Sequence, residues 1–269
     1  MTKISATIIT KNEEESIERC ILSLKKVADE IIVIDSFSTD RTEEICNNLE
    51  VRFYKNKFEG HIQQKNFAIS KANNDYILSL DADEALNESL INEIIQLKSN
   101  MKYEAYKINR LNNYMGKWIR FTDWNPDWKI RLFDKNIAEW GGMNPHDYII
   151  VNDGTKVGKL KHRIRHWVIE DIETHSRKAN QFSTIGAQSY YDKGIRSNFF
   201  KIIFNPSWSF LKSYFLKLGF LDGIAGIAIA SISSYTVFLK YLKLYQIQKK
   251  RGKAYINYIK QNKSVEEKK

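Results

Sequence analysis

Asp81 and Asp83 stand one residue apart at the end of the apolar run Tyr76-Ile77-Leu78-Ser79-Leu80, with Glu84 directly behind them. Carboxylates this close repel one another unless a cation lies among them. An Asp-X-Asp at a strand end offers oxygens to Mg²⁺ or Mn²⁺, ions that share their coordination with substrate phosphates. The plainer role, capping the next helix, is already taken by Asn87. Phosphatase chemistry with the first Asp as nucleophile calls for Thr or Val two residues on, where Ala85 stands, and for the first strand rather than the fourth. The strand-end loops hold no glycine-rich phosphate cradle, which argues against ATPase and NAD-dependent chemistry.

The elements that must hold these carboxylates alternate strand and helix over the first hundred residues. Apolar strands are expected at Ile4–Thr10, Glu30–Asp35, Val51–Tyr54 and Tyr76–Leu80. Helices are expected at Ser16–Val27, from Asp40 to Leu49 with a capping-box start at Asp40 and Glu43, at His61–Ala72, and at Asn87–Lys98. Wholly apolar strands between amphipathic helices predict a mainly parallel sheet covered on both faces. Ligands of such sheets sit outside the carboxyl ends of the strands. There this chain delivers Thr10-Lys11-Asn12-Glu13, Asp35-Ser36 and Asp81-Ala82-Asp83. Residues 101–168 read as a mixed-sheet extension with short alternating strands such as Trp128–Phe133, closing over the pocket. Residues 169–269 read as a helical region beginning with a helix at Ile172–Lys193.

The formal net charge of +10 is concentrated in that last region. From Lys193 onward there are 15 Lys and Arg against 3 Asp and Glu, whereas the first 192 residues hold 27 against 29. A basic tail suggests a polyanion, either nucleic acid or an anionic membrane. Its cations are interleaved with aromatics over Phe199–Leu221, followed by 17 uncharged residues at Gly223–Leu239. That pattern favours a bilayer surface over a phosphate groove, and a helix lying in the headgroup layer over a span of about 20 apolar residues. A helical subdomain packed on the sheet is the alternative. Cys20 and Cys46 fall on apolar helix faces as free thiols, and the chain enters a strand at once, so the domain is expected in the cytoplasm.

Val-Ile-Asp-Ser-Phe-Ser-Thr-Asp-Arg-Thr at 33–42 resembles the nucleotide-binding stretch of family 2 glycosyltransferases of GT-A fold. Ile-Ile-Thr-Lys-Asn-Glu-Glu at 8–14 is similar to their first-strand motif, and Leu-Asp-Ala-Asp-Glu at 80–84 to their DXD motif. Trp-Gly-Gly-Met-Asn-Pro-His-Asp at 140–147 and Gly-Phe-Leu-Asp-Gly-Ile-Ala-Gly at 219–226 resemble elements of the branch that includes lipopolysaccharide-core glucosyltransferases.

The resemblance implies a GT-A fold in which residues 1–100 bind a nucleotide sugar. Thr10, Asn12 and Glu13 would line the nucleotide, Asp35 would accept from the uracil imide, and Ser36 would sit nearby. Lys65 would face the base or the phosphate. Asp81 would hold the ribose or metal, and Asp83 the metal, Mg²⁺ or Mn²⁺, directly. Asp147 would be the general base of an inverting transfer; the branch usually carries Glu there, one methylene longer. His146 would orient it or join the metal. Arg131 would meet a diphosphate or an acidic acceptor, or pair on the surface, and His162 and His166 read as ordinary exposed histidines.

The resulting expectation is a metal-dependent enzyme on the inner face of the plasma membrane. It would pass a hexose, glucose first among candidates, from a UDP-sugar to a lipid-linked or lipopolysaccharide-type glycan, with no nucleic-acid partner. A basic-tailed nucleic-acid-binding protein and a catalytically inactive GT-A binding module are the competing classes.

Overall fold

A computed structural model describes the backbone of residues 1–143 and 146–266 and the side chains of 1–142 and 147–250. The role expected of the His146 side chain therefore lies outside the described residues. In chain order the elements are β1 (Ile4–Thr10), α1 (Ile17–Leu24), β2 (Glu30–Asp35), α2 (Thr42–Asn48), β3 (Arg52–Lys55), α3 (His61–Ser70), β4 (Tyr76–Asp81), β5 (Glu84–Leu86), α4 (Glu88–Lys98), β6 (Ala105–Tyr114) and β7 (Lys117–Trp118). They continue with β8 (Asp127–Asp134), β9 (Ala138–Met143), β10 (His146–Val151), β11 (Val157–Ile169), α5 (Ile172–Asp192), α6 (Phe199–Leu211) and α7 (Gly223–Glu266). Two compact units divide the chain, residues 1–113 with 125–168, and residues 114–124 with 169–269.

The first unit is built on a sheet in the order β3-β2-β1-β4-β8-β6-β11-β5. Strands β3, β2, β1 and β4 run parallel. β8 pairs antiparallel with β4 and β6, and β5 with β11. β9 and β10 form a separate hairpin. This is the GT-A type of architecture, a parallel half followed by a mixed half. β1 and β2 are buried almost throughout because their apolar side chains are covered on both faces. α1 packs Ile17, Cys20, Ile21 and Leu24 into the core along one stripe. Cys20 and Cys46 are buried free thiols, and burial pushes Cys46 up to about 12, so neither is a ready nucleophile.

Two local expectations change. α2 begins at Thr42, because the Asp40 carboxylate is anchored outside the helix, accepting from the Thr42 N–H at 3.0 Å and from the Glu14 N–H at 3.1 Å. The three residues after Asp83 form β5, which is too short to show a period in sequence and is defined by its pairing with β11.

The second unit is helical. Asp171 caps α5 by accepting from Thr174 N, and Asn198 caps α6 by accepting from Lys201 N. α6 passes into a π-helical turn at Lys212–Leu216, and a 3₁₀ turn at Gly219–Asp222 leads into α7. The Gly-rich stretch here is a close-packing device: a Cβ on Gly226 would lie 1.8 Å from the Gly219 carbonyl oxygen. Asp222 is buried, and its carboxylate accepts from the backbone N–H groups of Arg120 and Phe121. The Lys243 ammonium ties α7 to α5 from within 2.8 Å of four oxygens, on Asn180, Ser183 and Thr184. The stretch Gly219–Lys250 is long and apolar enough to cross a membrane by length and composition.

Candidate active site

Register levels three strand ends. Thr10 lies opposite Asp35 across β1 and β2, and Ile9 lies opposite Asp81 across β1 and β4. The loops beyond them are stitched together: Asn12 N donates to Ser38 Oγ at 2.8 Å, Asn12 Oδ1 accepts from Thr39 N at 2.8 Å, and Glu13 N donates to Thr42 Oγ1 at 2.9 Å. Asp35 is fully buried, and Ser38 donates to both of its oxygens, through its N–H at 2.8 Å and through its hydroxyl. Gln64 Nε2 donates to Ser36 Oγ at 3.0 Å. The buried Thr10 hydroxyl has no partner among the described residues. Thr10, Asn12, Glu13, Asp35 and Ser36 thus form one connected wall.

A second wall is a chain of alternating charge. Lys65 Nζ lies 2.8 Å from Asp147 Oδ2 and 2.9 Å from Asp81 Oδ1. Arg131 Nη2 lies 2.7 Å from Asp81 Oδ2 and 2.6 Å from Glu84 Oε1. Arg110 then joins Glu84 at 3.0 Å to Asp127 at 2.6 Å. Lys65, Arg131 and Glu84 are buried. Four carboxylates alternate with three cations, so no two like charges are neighbours in the chain. Burial alone would raise the Asp81 pKa, but the charges of Lys65 and Arg131 outweigh it and hold Asp81 well below the ordinary carboxylate range. Arg131 is held more firmly protonated than usual, its burial outweighed by Glu84 and Asp81.

Glu84 is structural. One oxygen accepts from both arginines, and the other accepts from the Asp81 N–H at 3.0 Å. Strand β5 is what folds this carboxylate back beneath the motif. Arg131, one of whose expected roles was surface pairing, is instead central and buried; its Nε and Nη1, like the indole Nε1 of Trp140, have no partner among the described residues. Trp140 is clamped to α3 by a two-way bond with Asn66, and its ring centroid lies 4.1 Å from Lys65 Nζ. Lys65 was placed in the site by sequence, but its link to Asp147 and the part played by Trp140 were not.

Asp83 stands apart from this chain. Its Oδ2 lies 3.4 Å from His166 Nε2, while His166 Nδ1 faces Asn112 Oδ1 at 2.8 Å. An amide oxygen on Nδ1 places the ring proton there and turns the Nε2 lone pair toward Asp83. His166 is largely enclosed, unlike the exposed His162, because β11 turns it inward beside β5. A carboxylate oxygen and an imidazole lone pair facing one another suit a divalent cation. Asp81, whose two oxygens already carry cationic partners, is a different kind of group from Asp83. No set of three or more His, Cys, Asp or Glu poised for a metal is found among the described residues.

Residues 5–164 match the model of Glycosyl transferase family 2. An uncharacterized glycosyltransferase of Rickettsia typhi is 34% identical over the whole of this chain and 97% of its own length. The lipopolysaccharide core biosynthesis glycosyltransferase LpsC of Rhizobium meliloti is 27% identical over 90% of this chain and 92% of its own. A crystal structure of S. aureus TarS 1–349 with UDP-GlcNAc aligns at a TM-score of 0.47 and 15% identity, covering 90% of this chain and 92% of that one. With the family model spanning more than half of its length, this chain belongs to glycosyl transferase family 2, and it is a glycosyltransferase.

Proposed function

We propose that this glycosyltransferase moves a hexose, with inversion, from a UDP-sugar to a lipid-linked or lipopolysaccharide-core glycan at the cytoplasmic face of the membrane. The pairing of Asp147 with Asp81 through one ammonium carries this reading, since it sets an acceptor-side carboxylate a fixed distance from a donor-side one. Thr10, Asn12, Glu13, Asp35 and Ser36 receive the nucleoside. The unpaired N–H groups of Arg131 and Trp140 are donors of the kind a diphosphate would satisfy. Asp83, with His166, would hold Mg²⁺ or Mn²⁺, which would supply positive charge against the leaving diphosphate.

Lys65 holds Asp147 Oδ2 at 2.8 Å, which leaves Oδ1 outside that bond. Oδ1 takes the proton of the acceptor hydroxyl as the hydroxyl oxygen bonds to the anomeric carbon and the bond to UDP breaks on the opposite face. The LpsC likeness supports the acceptor class, and the apolar C-terminal helix supports a membrane location. Asp147→Asn tests the reading: transfer should fall by roughly 10²–10⁴-fold while UDP affinity holds. Equal losses in both would make Asp147 a binding residue.

A further inference from the structure

The outer surface of α6 is apolar over most of its length, interrupted by the exposed Ser207. Phe199, Phe200, Ile203, Phe204, Trp208 and Leu211 are all exposed, Phe199 to 72% and Trp208 to 59%. The stripe continues through Phe215, Leu216 and Phe220 to Ile224, which is 88% exposed at the start of α7. Such a surface far exceeds the scattered apolar residues of an ordinary solvent face. Between Lys193 and Lys250 the sequence has nine Lys and Arg and one acidic residue, Asp222, which is buried. The exposed face therefore presents aromatics and cations, and one carboxylate, Asp123, meets it at Lys212 Nζ, 3.3 Å away.

Packing within this unit separates a surface-lying helix from a spanning one. α6 runs against α7, with Ser234 Oγ donating to the Pro206 carbonyl. The turn joining them is fastened by Asp222 to the backbone of Arg120 and Phe121. Phe121 is four residues from Asn125, where the chain re-enters the sheet-bearing unit. Four residues reach at most about 14 Å, less than half of a hydrocarbon core of about 30 Å. This turn therefore cannot sit on the far side of a bilayer. Farther along, α7 is bound to α5 through Lys243 and through Ser197 Oγ, which donates to the Tyr241 carbonyl just beyond α5. α5 exposes Glu173, Arg177, Gln181, Gln188 and Asp192 along its length, so it cannot accompany α7 into hydrocarbon.

We infer that the α6 face and the turns behind it form an in-plane insertion surface for an anionic phospholipid bilayer, and that α7 is a partly exposed strut against α5 and α6 and not a span. This deepens the membrane part of the function proposed above and needs none of its transfer chemistry. The Phe and Trp side chains enter the headgroup–acyl boundary by about 5–10 Å. Lys217, exposed, lies among them where anionic headgroups would meet it, and Lys212, also exposed, lies there beside its partner Asp123.

The full-length protein is mixed with vesicles containing phosphatidylglycerol and, separately, with phosphatidylcholine vesicles, and bound protein is recovered by flotation. It should float with the anionic vesicles, show a blue-shifted tryptophan emission absent from Trp208→Phe, and be quenched by lipids brominated near the headgroup. Phe200→Ser/Phe204→Ser/Trp208→Ser changes exposed positions only; with an unaltered circular dichroism spectrum and melt, it should lose at least about a hundredfold in partitioning. A native protein that stays out of the anionic vesicles overturns the inference, as does binding that survives the triple variant. Resistance to alkaline carbonate, with quenching by deep bromines, overturns it in favour of a span. A dimer broken by the triple variant, without vesicle binding, overturns it in favour of a second copy. Sugar transfer is not measured, so none of these outcomes bears on the catalytic reading.

Discussion

Lys65 and Asp147 meet at 2.8 Å across 82 residues of sequence, and the same ammonium lies 2.9 Å from Asp81. Helix α3 thus supplies a group that joins the β4 motif to the β9–β10 hairpin. With two of its protons directed at carboxylates and a tryptophan ring 4.1 Å away, the ammonium has little freedom left.

Lys65→Met leaves Asp81 and Asp147 near one another without their shared cation. Breaking a buried pair from one side costs about 3–5 kcal/mol, so the urea midpoint should fall by a corresponding amount. The pH dependence should change as well. Asp81 has a depressed pKa in the folded state, so its contribution to stability is present above the unfolded carboxylate value of about 4 and lost as the pH falls below it. In the variant that acid-side loss should shrink. An unchanged midpoint and an unchanged acid slope would mean that the pair contributes nothing.

Glu84→Gln and Glu88→Gln compare two ion pairs four residues apart. Glu84 is fully buried between Arg110 and Arg131, whereas Glu88 meets Lys26 on the surface. The buried change should cost about 3–5 kcal/mol and the exposed one at most about 1 kcal/mol in chemical denaturation. Similar costs for both would remove Glu84 from its anchoring role.

Asn112→Ala removes the group that fixes the His166 ring. Loss of such an outer partner typically weakens a metal site by about 10–100-fold. With UDP present, the Mn²⁺ concentration needed to raise the melting temperature should increase by that factor, and Asp83→Asn should abolish the Mn²⁺ effect. Mn²⁺ titrations indistinguishable from those of the unchanged protein would exclude both residues from metal binding.

His175 reports on the helical unit. Burial, reinforced by the charge of Lys178, pushes its pKa down to about 4, and its Nδ1 faces the Tyr114 hydroxyl at 3.0 Å. Between about 4 and the unfolded value near 6.5, the unfolded chain binds the proton and the folded chain does not. Stability therefore falls as the pH drops through that window. His175→Gln should flatten the slope of melting temperature against pH there, and a slope that persists would assign it to other groups.

Much of the frame could be read from the chain alone. β1 and β2 run from Ile4 to Thr10 and from Glu30 to Asp35, as expected, because unbroken apolar runs bounded by polar residues leave little choice of limits. The first wall of the site followed, since strand ends collect in a parallel sheet. The second wall did not. Arg131 sits in an alternating strand whose pattern does not say which face is closed, and its partners lie 47 and 50 residues away. His166 resembles its exposed neighbours until β11 pairs with a three-residue strand too short to recognise. The Asp83 motif was legible as chemistry, while the enclosed histidine beside it depended on tertiary pairing alone.

The helical unit takes residues 114–124 from the middle of the chain as well as everything after 168, and Asp222 fastens the two pieces together. Its limit is consequently not a point on the polypeptide. Cutting after Lys193 would strip the amides of Arg120 and Phe121 of their acceptor and leave the eleven-residue excursion held by its contacts to the start of α5, such as Tyr114 on His175. A shortened chain would therefore report two injuries at once, the missing apolar face of α6 and the unlatched loop. Point changes on α6 separate them, because they leave the Asp222 latch in place.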